Sequence, residues 1–202
     1  MKMRFLWAVA VVCFSVAAWA DGLQPKPVDI GAIAGSLQAG AVSPSPAAAP
    51  HPSPPPVVPF EKLMPFLPPV PDGWTAEKPG GSVTDVEVFR LSTASRTYQK
   101  GDDESAAVTT VTLLDAGGHK GYFDATTGGW KFNAQTGDGY DKAVEIDGVP
   151  GYEHFSWKAN GGSLCVIVAK RFFVQIDVTN QEPRALREWL QKIDLKKLAE
   201  LK

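Results

Sequence analysis

Few side chains in this chain could do chemistry, and four of them crowd one stretch: Trp130, Tyr140, His154 and Trp157. An indole or phenol offers an apolar plate with a polar rim. An imidazole can donate, accept or move a proton near neutral pH. Together they are expected to line a ligand cleft beneath a flap formed by residues 116–141. Seven of the 19 glycines fall in that segment, interleaved with Tyr122, Phe123, Trp130, Phe132 and Tyr140. Glycine loosens a backbone while aromatic rings seek burial, so the mixture suits a flap or irregular helix over one sheet face. The plainer reading of Tyr122, Phe123 and Trp130 is core, because they follow helical spacing.

Other candidates are weaker. His119 sits near Asp115 and Asp124 in a glycine-rich loop and reads as a loop histidine, since a metal would need further ligands. His154 follows Glu153 on a strand, so the two point to opposite faces and form no acid–base pair. Asp102-Asp103-Glu104 reads as a polar hairpin tip. Asp138 and Asp141 lack the ligand series and closing glutamate of a calcium loop. HExxH, GxSxG, CxxC, phosphate-cradling and dinucleotide fingerprints do not occur in the sequence. No catalytic, cofactor-binding or metal-ligating residue is therefore assigned.

The elements that must position these residues follow from composition. Met1–Ala20 reads as a secretory signal: Lys2 and Arg4 precede an apolar run over Phe5–Val16. Ala18-Trp19-Ala20 then presents small residues for cleavage between Ala20 and Asp21. The run is shorter than the roughly 20 apolar residues that span a bilayer, and no later stretch is long enough. Removing residues 1–20 shifts the formal net charge from −2 to −4. That balance argues against nucleic acid and anionic lipid as partners. It also removes Cys13 and leaves Cys165 as the one thiol, so no internal disulfide can form. Cys165 lies in the apolar run Leu164–Val168 and reads as a buried, inert cysteine.

Residues 21–70 read as a disordered proline- and alanine-rich tether, because 14 of the 17 prolines fall between Pro25 and Pro71. A weak helix is conceivable over Val28–Leu37. Leu63–Val70 is more apolar than a linker needs and is expected to lie against the domain as an ordered arm, the alternative being an exposed patch for a partner. Residues 71–202 form the single α+β domain. Val83–Leu91 and Ser92–Gln99 read as an extended pair or one long bent strand, Lys100–Asp103 as a turn and Ala106–Leu114 as the returning strand. Lys142–Ile146 and Val149–Lys158 flank Asp147-Gly148, a strong hairpin signal. Ser163–Ala169 and Phe172–Val178 follow, separated by a turn at Lys170-Arg171. Phe172, Val174, Ile176 and Val178 share one face, and Phe173, Gln175 and Asp177 the other. The expectation is an antiparallel meander. Ala185, Leu186, Trp189, Leu190 and Ile193 form the stripe of an amphipathic helix packed on it. Asp194 caps a short last helix. Arg184, Arg187, Lys192, Lys196 and Lys197 lie mainly on exposed positions of these two helices, a solvated face rather than a basic docking patch.

This order of elements, with Pro71-Asp72-Gly73-Trp74 ahead of a long hairpin and Val144-Glu145-Ile146-Asp147-Gly148-Val149-Pro150-Gly151-Tyr152 after a crossover, resembles the PsbP-like α/β/α sandwich. Photosystem accessory proteins and a Ran-binding regulator share that fold. The tail Lys192–Leu198 is similar to that of an uncharacterised group of exported bacterial proteins. The resemblance implies a non-catalytic accessory or binding module with no family active site to carry over. The sequence-based expectation is thus an exported soluble module of the bacterial cell envelope, periplasmic or secreted, whose partner is another envelope protein. The alternative is a small-ligand-binding protein or weak hydrolase using the cleft under 116–141.

Overall fold

Alternating apolar and polar residues, rich in valine, threonine and aromatics, build one antiparallel sheet of nine strands. The computed structural model describes residues 56–86, 89–103 and 105–202. The signal segment with Ala20 and Asp21, the Val28–Leu37 helix and the tether up to residue 55 lie outside the described residues, as does Glu104. No helix among the described residues is long and apolar enough to cross a membrane.

A short helix α1 (Phe60–Leu63) and a single 3-10 turn (Met64–Phe66) open the described chain. Strands β1 (Thr75–Ala76) and β2 (Gly80–Val86) lie end to end along β3 (Phe89–Lys100). Pro79, which has no N–H to give a ladder, stands in the gap between them. The reversal between β2 and β3 falls between residues 86 and 89, not at 91–92 as the residue pattern suggests. β4 (Ala107–Asp115) returns along β3, and α2 (Lys120–Thr127) carries the chain to the far edge. There β5 (Ala134–Thr136), β6 (Gly139–Ile146), β7 (Val149–Ser156), β8 (Gly161–Val168) and β9 (Phe172–Thr179) run as a true meander. The meander is not the whole sheet: β9 closes it by pairing with β4, so the order is β1-β3-β4-β9-β8-β7-β6-β5. Helices α3 (Arg184–Leu190) and α4 (Leu195–Ala199) end the fold, and Asp194 accepts from the Lys197 N–H at 2.9 Å as the cap of α4.

The period-two pattern decides which face each residue meets. Phe172, Val174, Ile176 and Val178 join Tyr98, Val111, Leu113, Leu164 and Val166 beneath Leu186, Trp189, Leu190, Ile193 and Leu198. Each fully buried leucine there contributes roughly 2 kcal/mol. The arm belongs to the same core, because Val58, Leu63 and Leu67 are buried in it. The packed unit thus takes in residues that read as tether from composition. Phe60 lies against Gly81 so closely that a Cβ there would sit 2.3 Å from its ring. The opposite face carries a smaller cluster of Leu114, Ala116, Ile167 and Phe173, covered by Tyr122, Phe123 and Trp130. Tyr122 meets Phe173 edge-on at 5.3 Å. The flap segment therefore holds a real helix over Lys120–Thr127, whose Tyr122 and Phe123 pack on this cluster together with Trp130 beyond its end. His119 caps it, accepting from the Tyr122 N–H at 3.4 Å through Nδ1.

One buried charge joins the parts. Asp115 is fully buried and accepts from Arg171 Nε at 2.8 Å and Nη2 at 2.7 Å. It also accepts from the Val58 N–H at 2.6 Å and the Gly117 N–H at 2.8 Å. Replacing Asp115 by Ala would strand a half-buried guanidinium and two N–H groups. The expected outcome is a loss of about 3–5 kcal/mol in urea unfolding. Limited proteolysis would then cut between Pro56 and Leu67, where the arm is released.

Candidate functional site

The β6–β7 hairpin sets the geometry of every candidate residue. Asp147 and Gly148 take left-handed backbone conformations (φ 52° and 77°), as a tight two-residue hairpin turn requires. That turn fixes the register: Tyr140 opposes Phe155, Asp141 opposes His154 and Lys142 opposes Glu153. Alternation then sends Tyr140, Lys142, Glu153 and Phe155 to the α3 face, and Asp141, Tyr152 and His154 to the α2 face.

On the α3 face Glu153 is the hub, with its side chain 3% exposed. Tyr140 donates its hydroxyl to Oε1 at 2.5 Å, and Lys142 Nζ lies 3.1 Å from the same oxygen. Arg187, reaching from α3, sends Nε and Nη2 to Oε2 at 3.4 Å each. Burial, and next the hydrogen bond and charge of Glu153, push the Tyr140 phenol well above its ordinary range. The Lys142 ammonium also sits 4.2 Å from the Tyr140 ring centroid. At the open end Trp157 packs on Phe155 at 5.0 Å and Tyr140 at 5.8 Å, yet stays 49% exposed. Its backbone N–H donates to Asp138 O at 2.8 Å. Trp157, Tyr140, Lys142, Gln135 and Asn133 border a shallow concavity of about 490 Å³ along the β5–β6 edge.

On the α2 face one row crosses the sheet strand by strand: Thr97, Thr110, Asp177, Ser163, His154 and Asp141. His154 Nδ1 lies 2.9 Å from Asp141 Oδ1. This is the order carboxylate, imidazole, hydroxyl of nucleophilic catalysis. It lies on an open surface, however, with the His154 side chain 44% exposed. An exposed imidazole works in high dielectric, where such a relay gains little. Gln175 Nε2 donates to both oxygens of Asp177 at 3.0 and 2.9 Å. Burial pushes the Asp177 carboxyl above its ordinary range, partly offset by that amide. Trp130 stacks on Tyr152 at 6.3 Å.

The four cleft residues expected from sequence therefore divide two and two. Tyr140 and Trp157 meet on the α3 side, Trp130 and His154 lie on the α2 side, and the sheet stands between the pairs. Cys165 is half-buried beside the α2 cluster rather than sealed in the core. Asp103 caps its own hairpin tip, and hydrogen bonds from Ser105 hold its carboxyl below the usual range. Among the described residues, no three His, Cys, Asp or Glu side chains converge as a metal group. Glu153 as hub and Asp141 as partner of His154 were missed from sequence, though the Asp147-Gly148 turn implies both pairings. No protein-family model, curated protein or solved structure matches this chain.

Two substitutions check these electrostatics. Glu153→Gln removes the carboxylate that raises Tyr140, so the phenol should ionise at lower pH in an ultraviolet titration, keeping only the rise caused by burial. The same change leaves Lys142 and Arg187 facing a neutral group and should cost about 1–3 kcal/mol. Asp177 has a raised carboxyl, so the folded state favours its protonated form. Its stabilising contribution is present below the ordinary carboxyl range and is lost as pH rises through the raised value. Asp177→Asn should therefore be more stable than the parent at neutral pH. The gap should close in denaturation curves as pH falls through the acid range.

Proposed function

We propose that this chain is an exported, non-catalytic accessory or binding module of the bacterial cell envelope, working in the periplasm on a proline-rich tether. The observation that carries the binding reading is Trp157. A large aromatic side chain ordinarily hides in the core, and this one is held half in water by Phe155 and Tyr140. An indole whose plane is already fixed loses little conformational freedom when a ligand covers it. Exposed aromatic anchors with a polar rim are the usual signature of a recognition surface. Phe132, 62% exposed, adds a second exposed ring in the α2–β5 connection, and the Tyr152 hydroxyl donates to its carbonyl at 3.1 Å.

The export reading rests on the signal-like residues 1–20. The tether reading rests on the prolines ahead of Pro56, whose carbonyl accepts from Arg171 at 3.3 Å. The finer fold assignment, a PsbP-like sandwich, is part of the same proposal. It is supported by the order arm, long hairpin, crossover, meander, terminal helices, and by helices lying against both sheet faces.

A photo-crosslinking amino acid in place of Gln135, in the full-length chain in its native host, tests the reading. Fractionation should place the chain in the envelope, and illumination should yield an adduct. The same probe at Val83, on the opposite sheet edge, should yield none. Equal adducts at both sites, or none at Gln135, would sink the proposal.

A further inference from the structure

We infer that the concavity at the β5–β6 edge takes a carbohydrate chain, with one pyranose ring stacked on the exposed face of Trp157. This deepens the binding-module reading and rests on it.

The chemistry of the rim selects the ligand class. A pyranose offers a patch of C–H groups on one face and a belt of hydroxyls around it. The first needs a flat, fixed aromatic plate, and Trp157 is one, braced by Phe155 at 5.0 Å and Tyr140 at 5.8 Å. The second needs donors and acceptors around the plate. Gln135 is exposed there with a whole amide to offer. Asn133 spends its Oδ1 on the Ala143 N–H at 2.7 Å, which orients the side chain and leaves its NH2 to donate. Lys142, held by Glu153 at 3.1 Å, adds an ammonium.

The shape points the same way. A small apolar ligand needs a cleft that buries most of its surface. This concavity is open and shallow, which suits a hydrated polymer touched on one side. It lies beside the three-residue strand β5 at the limit of the sheet, so a long chain can run past in both directions. The local charge agrees as well. Glu153 and Asp141 offset Lys142 and Arg187, so no net charge is left at the rim, which suits a neutral sugar.

The test is co-sedimentation of the purified chain with three insoluble probes: chitin, cellulose and cell-wall sacculi. The expected result is binding to at least one. Trp157→Ala should weaken it roughly tenfold, Gln135→Ala should weaken it less, and Trp157→Phe should retain most of it. Unfolding midpoints of the Phe and Gln135 variants should match the parent, so a loss of binding is not a loss of fold. Failure to sediment with all three, or equal binding by the parent, Trp157→Ala and Gln135→Ala, overturns the inference. A protein adduct at Gln135 without polysaccharide binding would remove the carbohydrate and keep the binding module. Loss of both results removes both.

Discussion

A single buried carboxylate decides how this chain closes. Asp115 ends β4, beside Phe172 at the start of β9, and that pairing joins the N-terminal hairpin to the meander. It is a contact between residues far apart in sequence, so the loop closure behind it costs entropy that local turns do not. Asp115 meets that cost at one point. Two nitrogens of Arg171, the N–H of Val58 and the N–H of Gly117 all converge on it. A charge taken out of water is tolerable only when its lone pairs are filled, and here four donors fill them. The guanidinium gains in turn: the hydrogen bonds it donates to Asp115 raise its pKa further. Arm, sheet and crossover therefore share one electrostatic knot.

The turn that delivers Arg171 shows the same constraint. Ala169 and Lys170 both adopt left-handed backbone angles of 53°, where glycine or asparagine would be easier. Strain of about 1–3 kcal/mol per residue persists only where surroundings over-determine it. Here the Arg171 N–H closes the turn on Val168 O at 3.0 Å, and its side chain locks onto Asp115. A turn made of Ala and Lys carries no turn signature, which explains why it reads one residue late in the sequence. Asp147-Gly148, with standard hairpin chemistry, is legible at once. The difference lies in whether local propensity or a distant ion pair sets the backbone.

The same division explains what could be read of the site. The alternation of β9, the stripe of α3 and the Asp194 cap were legible, because each is local chemistry with a fixed period. Glu153 and His154 were correctly placed on opposite faces by that logic. Their partners follow from one further step: a two-residue turn at 147–148 puts Lys142 against Glu153 and Asp141 against His154. The arm was only partly legible. Val58, Leu63 and Leu67 are anchors scattered among prolines, and composition hides apolar residues that sit at no regular period. The closure of β9 on β4 was not legible at all, since it pairs strands separated by the crossover and the meander and no adjacent turn announces it.

Placing the recognition surface at the sheet edge follows from how the two faces are used. The α3 face is filled by helices and arm, and the upper α2 face by Tyr122, Phe123 and Trp130. On the α3 side, Trp157 emerges beside β5, a strand of three residues. At that limit, Phe155 is sealed in the core at 1% exposure while Trp157, two residues on, emerges at 49%. Strand period puts both rings on one side, so Trp157 is a continuation of the core's aromatic column beyond the last covering element. Its rigidity is borrowed from the core and its exposure from the edge. Glu153 performs the same service for the rim, since a carboxylate sealed beneath α3 fixes Lys142, whose head remains within reach of solvent. The edge is thus a place where buried order on the α3 side is handed directly to an open surface.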